Sequence, residues 1–394
     1  MNDVAIDLER RIDELLTANP PDQTDRLDFL RARFAAGLAW VQYPKGLGGL
    51  DVDASNQALV DAALAAVGAP DNRPQGNVIG LGMAAPTLLR YATREQQERW
   101  IPPLWTGEEI WCQLFSEPGA GSDLAGVSAS ARLDGDSWIV NGQKVWTSLA
   151  HDARWALLLV RTDPSLPKHR GLSYFVLDLT TAGVDVRPLR QMTGEAEFNE
   201  VYLDDVRVPD ANRLGEVGEG WKVTQATLMN ERVAIGGGVG AREDGPIGAL
   251  ARLWRKEPEA RRPECFDDLM RLWVDAEALR LTSARLAQQL EVGAPGPEGS
   301  GLKLAYSALA QEAASLHLDL LGPESMRYDD WSLRRPDFTT PLDRVPAYWY
   351  LRNRANSIEG GTSEIMRNII AERVLGLPAE PRSDKDTPWK DLPK

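Results

Sequence analysis

The 394-residue chain has two cysteines, three histidines and no long apolar run, and each shortage removes a class of function. Cys112 and Cys265 lie far apart and form no CxxC, so neither a disulfide framework nor a thiolate metal site is expected, and a reducing compartment fits. His151, His169 and His317 share no HxxH or HxxxH spacing, so no histidine-based metal centre is expected. No stretch approaches the roughly 20 apolar residues of a membrane span, and the opening MNDVAIDLERRIDELL is charged and helical, unlike a signal peptide. A cytoplasmic location is expected. Basic residues are also in deficit: 44 Lys and Arg against 58 Asp and Glu leave a net charge of -14, which repels polyanions and argues against a nucleic-acid partner.

What is present is the composition of a globular protein, 43% hydrophobic and 26% charged, in a chain too long for one ordinary core. Apolar residues recur at helical spacing through LDFLRARFAAGLAWV and SNQALVDAALAAVGA, with Gly/Pro punctuation at PKGLGG and GAPDNRPQG. Residues 1–112 are therefore expected to form a helical domain. Over 113–215 the pattern changes to the short runs SWIV, ARWALLLV, LSYFVLDL and NEVYLDDVRV, with Asp134-Gly135 and Asn141-Gly142 as tight-turn pairs between some of them. An antiparallel β domain follows from that reading.

Helical spacing returns from Trp221. Leu269, Leu272, Trp273, Ala276, Leu279 and Leu286 share one stripe, and Leu302, Ala305, Leu309, Ala313, Leu316 and Leu320 another, which Gly322-Pro323 ends. Residues 216–380 are assigned to this second helical domain, VGAPGPEGSG to a loop within it, and 381–394 to a mobile tail. The fold class is α+β, in the order helical, β, helical, with no internal repeat. Gly236-Gly-Gly-Val-Gly240 follows no strand and lacks GxGxxG spacing, so it reads as close helix packing rather than a dinucleotide loop.

Three motifs carry chemistry. Gln113-Leu-Phe-Ser-Glu-Pro-Gly-Ala-Gly-Ser-Asp123 has two glycines and a proline that let backbone amides approach an anion or a planar ring, although EPGAGSD alone also serves as a plain tight turn. Asn141-Gly-Gln-Lys-Val-Trp-Thr-Ser148 reads as a hairpin turn leading into a strand that presents an indole and two hydroxyls. A flavin ring needs such a flat apolar wall with donors beside it, while a Trp packed in a β core has the same sequence. Ser357-Ile-Glu-Gly-Gly-Thr-Ser-Glu-Ile-Met-Arg-Asn-Ile-Ile-Ala-Glu-Arg373 is a glycine pair followed by a helix starting at Thr362, suited to anions at the helix N-terminus or simply well capped.

In this order and spacing the three motifs closely resemble the signatures of the acyl-CoA dehydrogenase family. The similarity extends through PKGLGGLDVD, LLRYATREQQERWIPPLWTGE and EVYLDDVRVPDANRLGEVGEGW. The resemblance implies an N-terminal helical domain, a middle β-barrel-like domain and a C-terminal four-helix bundle, with FAD between them, in a homo- or hetero-oligomer, usually a dimer or tetramer. It implies that Gln113, Phe115, Ser116, Gly121, Ser122, Trp146 and Ser148 surround the flavin. Thr362 and Glu364 would lie near its diphosphate and ribose end, and Ser122 and Arg232 would contact the substrate. The implied activity is removal of a proton and a hydride from adjacent carbons of an acyl-CoA, in fatty-acid or lipid metabolism, with electrons passed to an electron-transferring flavoprotein.

The reaction needs a carboxylate at Cα and donors on the thioester oxygen. In one branch of the family the base stands just before Gly-Thr of the third motif; here that residue is Gly360, with Glu359 one place earlier. In the isovaleryl-CoA dehydrogenase branch it comes from an LER-type sequence on the first long helix of the C-terminal domain, and this chain has Met229-Asn-Glu-Arg232 there. Glu231 is the expected base, Glu359 the second choice, and the Gly360 N–H an expected donor to the carbonyl. The chain departs from the family in lacking its RxxFG segment, where it has ARLWRKEPEARRPECFDD, and its QxxGGxG segment, where it has DLLGPESM with Asp319 for Gln. Similar losses occur in members that form mixed tetramers with fewer flavins than subunits. A non-catalytic or half-site partner subunit and a flavin oxidase on the same fold are therefore the rival readings.

Overall fold

The structure is a computed structural model that describes residues 3–72, 76–236, 240–292, 296–328, 330–337, 339–340, 344–379, 381 and 384–393; the side chains of 3, 231–236, 290–292 and 324 lie outside the description. Its N-terminal part contains α1 (Asp3–Ala18), α2 (Arg26–Ala35), α3 (Gln57–Ala66), α4 (Ala85–Tyr91) and α5 (Arg94–Thr106). Leu8, Ile12 and Leu15 of α1 pack with Phe29, Val60 and Leu64 of its neighbours in one core. The α5 helix is bounded as its sequence dictates: Thr93 and Gln96 form a reciprocal capping box at its start, and Gly107, at φ 79, turns the chain out at its end.

Among the described residues seven strands follow: β1 (Trp111–Leu114), β2 (Ser130–Asp134), β3 (Ser137–Ser148), β4 (Trp155–Arg161), β5 (Leu172–Asp178), β6 (Val184–Pro188) and β7 (Phe198–Pro209). They form one sheet in the order β1-β4-β2-β3-β7-β6, with β5 paired to β4. The expectation of a purely antiparallel domain needs correction, because β1 runs parallel to β4, Trp111 opposite Trp155 through Leu114 opposite Leu158. The polypeptide between these two strands makes the β2–β3 hairpin and returns in the same direction, as a parallel pair requires.

The continuous apolar run of β4 has a simple cause: every residue from Trp155 to Arg161 is buried, because both faces of the sheet are covered. Leu157 and Leu159 join the core shared with Trp100, Ile101 and Leu104 of α5, while Ala156, Leu158 and Val160 point into a second core with Val201, Leu203 and Val206 of β7.

The C-terminal part consists of α6 (Gly220–Gly236), α7 (Gly245–Lys256), α8 (Phe266–Val292), α9 (Gly299–Leu321), α10 (Pro346–Arg352) and α11 (Ser363–Ile369). Both sequence stripes meet here. Leu269 and Leu272 of α8 are buried with Leu309, Ala313, Leu316 and Leu320 of α9, and Trp273, Ala276 and Leu279 border them. Gly322, at φ 75, ends α9 where Gly322-Pro323 predicted. Most of the glycine-rich stretch Gly236-Gly-Gly-Val-Gly240 lies outside the described residues. Among the described residues no helix is long and apolar enough to cross a membrane.

The tail corrects its expectation of mobility. The Trp389 and Lys390 amides donate to the carbonyls of Leu166 and Pro164 at 2.9 and 3.0 Å. The Trp389 indole N–H donates to Gly126 O at 3.2 Å, and the Arg161 guanidinium sits 4.4 Å from the ring centroid. Polar composition suggested a solvated end; these backbone bonds, with one tryptophan over a buried arginine, dock it.

Candidate active site

Alternation along β1 puts Gln113 on the same face as Trp111 and Phe115, the face that the helices cover. Phe115 meets Tyr174 of β5 edge-on, ring centroids 5.7 Å apart. The Tyr174 hydroxyl lies 3.0 Å from Thr227 Oγ1 on α6, which lies 3.0 Å from Thr87 Oγ1 on α4. This buried chain of hydroxyls ties the sheet, α4 and α6 together, one helical turn before residue 231. Glu231 and Arg232 therefore belong to a helix whose preceding turn is firmly seated against the sheet.

The second motif is not built as the sequence suggested. Asn141-Gly142 makes no hairpin turn but a bulge inside the 12-residue strand β3, where the register against β7 shifts between Val140 and Gly142. Gly142 has φ 152, and a Cβ there would stand 2.5 Å from that of Ala129, so only glycine passes. Asn141 side-chain bonds with Asp205, one from its amide to Asp205 Oδ1 and one to its oxygen from the Asp205 N–H, both 2.9 Å, clamp the bulge. The turn that opens the strand is Asp134-Gly135, as expected, with Gly135 at φ 67.

A second irregularity lies between Lys144 and Thr147. Val145 N–H leaves the ladder and donates to Ser116 O at 2.9 Å, which joins the first motif to the second. Trp146 then adopts φ 61 and Leu149 φ 50, a conformation that costs a side-chain-bearing residue of order 1–3 kcal/mol. The strain presents the Trp146 indole to the outside: it is 58% exposed, and its near ring neighbour is Phe198, edge-on at 6.0 Å. Beside it, Thr147 Oγ1 is buried without a hydrogen-bond partner among the described residues. Ser148 is half-buried and lies opposite Phe198.

Two charged residues missed by the sequence reading fix this arrangement. Lys144, fully buried, donates to Glu117 Oε1 at 2.8 Å and to the carbonyls of Phe115 and Leu159 at 3.0 and 2.7 Å. Glu117 also accepts from the amides of Ser128 and Ala129 at 2.7 and 2.9 Å. Burial pushes the Glu117 carboxyl up, but Lys144 and these amides more than offset it and hold it below the ordinary range. Both residues stand inside the quoted motifs; a lone lysine in an otherwise alternating strand was the available signal.

Beyond Glu117 the loop turns back at once, Glu117 and Ala120 exchanging backbone bonds of 3.0 Å. Gly121 and Ser122 are exposed. A Cβ on Gly119 or Gly121 would meet nothing within 4 Å, so crowding within the chain does not demand glycine there. The far end of the loop is gripped by Lys168, whose ammonium lies 2.9 Å from Asp123 and 2.7 Å from Asp384 of the tail.

The third motif comes to the same place from the helical bundle. Arg352 Cζ lies 5.4 Å from the Phe198 ring, on which Trp146 also packs. Arg352 Nη1 donates to Glu359 Oε1 at 2.9 Å, and Nη2 to Glu197 Oε1 at 3.4 Å. Burial pushes the Glu197 carboxyl up, with Glu359 and Glu195 adding to the rise and Arg352 opposing it. Gly360 and Gly361 have φ 62 and 93, and the Gly360 N–H donates no hydrogen bond among the described residues. Thr362 caps α11 by accepting from Ile365 N–H at 3.2 Å, and Glu364 is exposed, paired with Arg367 at 3.3 Å.

An outward-facing strained tryptophan, an unpaired buried hydroxyl beside it, glycines that the chain itself does not require and a free loop amide are what a flat, hydrogen-bonding cofactor needs, so these residues fit FAD. Matches to the acyl-CoA dehydrogenase N-terminal, middle and C-terminal domains cover residues 9–108, 112–206 and 218–375. The acyl-CoA dehydrogenase IpdE1 of Mycobacterium tuberculosis is 39% identical over 354 residues, 88% of this chain and 86% of the relative.

The chain belongs to the acyl-CoA dehydrogenase family.

FadE34 of the same organism, also named an acyl-CoA dehydrogenase, is 42% identical over 82% of this chain and 42% of its own length. The crystal structure of the ChsE4-ChsE5 complex from Mycobacterium tuberculosis superposes with a TM-score of 0.70 at 28% identity, covering 96% of this chain and 99% of that one. Members of the family are FAD-dependent flavoproteins, and the chain is an oxidoreductase of the acyl-CoA dehydrogenase class. Its two departures from the family pattern meet each other: Arg262, in the segment that replaces RxxFG, donates to the Asp319 carbonyl at 3.0 Å.

Proposed function

We propose that the protein dehydrogenates an acyl-CoA between Cα and Cβ, giving a trans-2-enoyl-CoA, with FAD as cofactor and an electron-transferring flavoprotein as electron acceptor. The observation that carries the reading is the convergence of Trp146 from the sheet and the Glu359–Gly360 loop from the bundle on Phe198 and Arg352.

Glu231 is the proposed base, taking the α-proton on its carboxylate. Support comes from its place on α6, one turn beyond the Thr227–Tyr174 hydroxyl pair, and from the Arg352 ion pair that already engages its competitor Glu359. The Gly360 N–H is the proposed donor to the thioester oxygen, where negative charge grows as the proton leaves. Bound FAD supplies the acceptor for the β-hydrogen, which leaves as hydride.

Gln113, Phe115, Ser116, Gly121, Ser122, Trp146 and Ser148 are the proposed flavin wall, with Thr362 and Glu364 towards its diphosphate and ribose. Ser122 and Arg232 are proposed to contact the substrate, Ser122 at its pantetheine arm. A cytoplasmic homo- or hetero-oligomer, dimer or tetramer, completes the proposal.

The test is the visible spectrum of the purified protein with short, long and sterol-derived acyl-CoAs. A flavin band bleached by one thioester in wild type and Glu359→Gln, but not in Glu231→Gln, is the expected result. Colourless protein in every preparation overturns the stand-alone enzyme and favours a partner subunit, the reading to which the altered Arg262–Asp319 region points. Bleached flavin that recovers rapidly in air, without a flavoprotein acceptor, favours an oxidase.

A further inference from the structure

The segment from Asn356 to Thr362 carries Glu359 and the Gly360 amide, and it contains two successive glycines in left-handed backbone, φ 62 and 93. Two adjacent glycines give the chain more conformational freedom than any other pair, whereas a donor that stabilises developing charge works only if it is aimed before the reaction begins. Something outside the segment must hold it.

One hold is Arg352 on Glu359, but it grips the end of a half-exposed side chain, several rotatable bonds from the backbone. Two further holds act on the backbone itself: the Ile358 and Glu359 amides donate to Ala355 O at 2.8 and 2.9 Å, which fixes the side before Gly360, and α9 grips the side after it. Lys303 of α9 is 4% exposed, and its ammonium donates to Asn356 O at 2.7 Å and to Gly361 O at 2.6 Å. Ser307, one turn further along α9, donates a second bond to Asn356 O at 2.7 Å. The two carbonyls bracket the residues between them, so a single buried cation closes the segment into a loop of fixed span. Burying an ammonium is costly, and an apolar side chain would fill the same space at less expense. What the lysine adds is direction.

We propose that Lys303 is a positioning residue, whose buried ammonium on Asn356 O and Gly361 O fixes the direction of the Gly360 N–H towards the substrate carbonyl. This rests on the reading above, in which that amide is the donor to an acyl thioester. Lys303 touches neither substrate nor cofactor in this account; it acts through the loop.

Lys303→Met, Lys303→Arg and Ser307→Ala separate the possibilities. Backbone hydrogen exchange of the peptide spanning 357–363, measured without substrate, should quicken about tenfold in Lys303→Met. In flavin-loaded protein kcat should fall about 100-fold while KM stays within about threefold, the pattern of a misaimed donor. Lys303→Arg, which keeps the cation, should recover part of the loss, and Ser307→Ala should lower kcat about threefold.

Folded Lys303→Met with wild-type exchange or wild-type kcat overturns the inference, as does a rise in KM alone. Where Lys303→Met does not fold, Ser307→Ala decides: unchanged exchange and kcat overturn it. Wild type that turns over no acyl thioester brings down the dehydrogenase reading and this role of Lys303 with it. Active wild type beside equally active Lys303→Met brings down the inference alone.

Discussion

The sheet half of the site and the bundle half are held by different forces. On the sheet side, Lys144 and Glu117 are both buried, and besides each other they bind two carbonyls, of Phe115 and Leu159, and the amides of Ser128 and Ala129. On the bundle side, Arg352 joins Glu359 and Glu197 through pairs whose side chains keep 18 to 36% of their exposure, next to two glycines. Buried charge that is fully partnered makes a rigid seat, and removing either partner is severe; partly wet ion pairs are screened and forgiving. The sheet-side seat is thus rigid, whereas on the bundle side the Glu359 side chain can adjust while Lys303 holds the backbone beneath it.

The largest expected effect belongs to a group outside both halves. Glu231→Gln should lower kcat by about 10²–10⁴ with little change in melting temperature, read from flavin bleaching by stopped flow. Loss of stability without loss of turnover would remove Glu231 from the reaction. Next, Lys144→Met should cost about 3–5 kcal/mol in urea unfolding, because Glu117 is left charged and buried. Adding Glu117→Gln should return part of that loss. Arg352→Gln should cost less, about 1–2 kcal/mol, while disturbing turnover more than Lys144→Arg does. Should Arg352→Gln destabilise as much as Lys144→Met, the contrast between the two halves fails.

Acid should weaken the bundle through two surface carboxyls. Glu243 accepts both terminal nitrogens of Arg255 at 2.5 and 2.6 Å, and this pairing, with the Trp273 N–H, lowers its carboxyl from 4.5 to about 2. A folded value below the unfolded one means stability that is present above about 4.5 and is lost as pH falls towards about 2. Glu277, lowered to about 2 by Arg280 and Arg242, titrates over the same window. Glu243→Gln should therefore flatten the fall in melting temperature between pH 5 and 3. An unchanged slope would show that these surface pairs contribute nothing. The smallest effect is Trp389→Ala, about 1 kcal/mol, seen as faster proteolysis of the tail with the sheet intact.

Much of the fold was legible because its signals are periodic. The stripes of α8 and α9 and the apolar run of β4 follow from hydrophobic spacing, the end of α9 from Gly322-Pro323, and the capped start of α11 from Thr362. The strands β1, β2 and β6 escaped, being four or five residues long with little pattern of their own. Asn141-Gly142 misled because the same dipeptide serves a hairpin turn and a bulge, and only the cross-strand neighbour Ala129 decides which. The motif residues were readable one by one. Their meeting was not: Phe198 and Arg352 join the second motif to the third, and Lys303 holds the third, through contacts between segments more than 50 residues apart, and nothing local marks them.

The docked tail orders events during synthesis. Trp389 closes over Gly126 across 263 residues of chain, so this contact waits until residue 389 has left the ribosome. Domains generally fold from the N-terminus as they emerge. The sheet is then complete while the segment from Asp123 to Gly126 still lacks its cover.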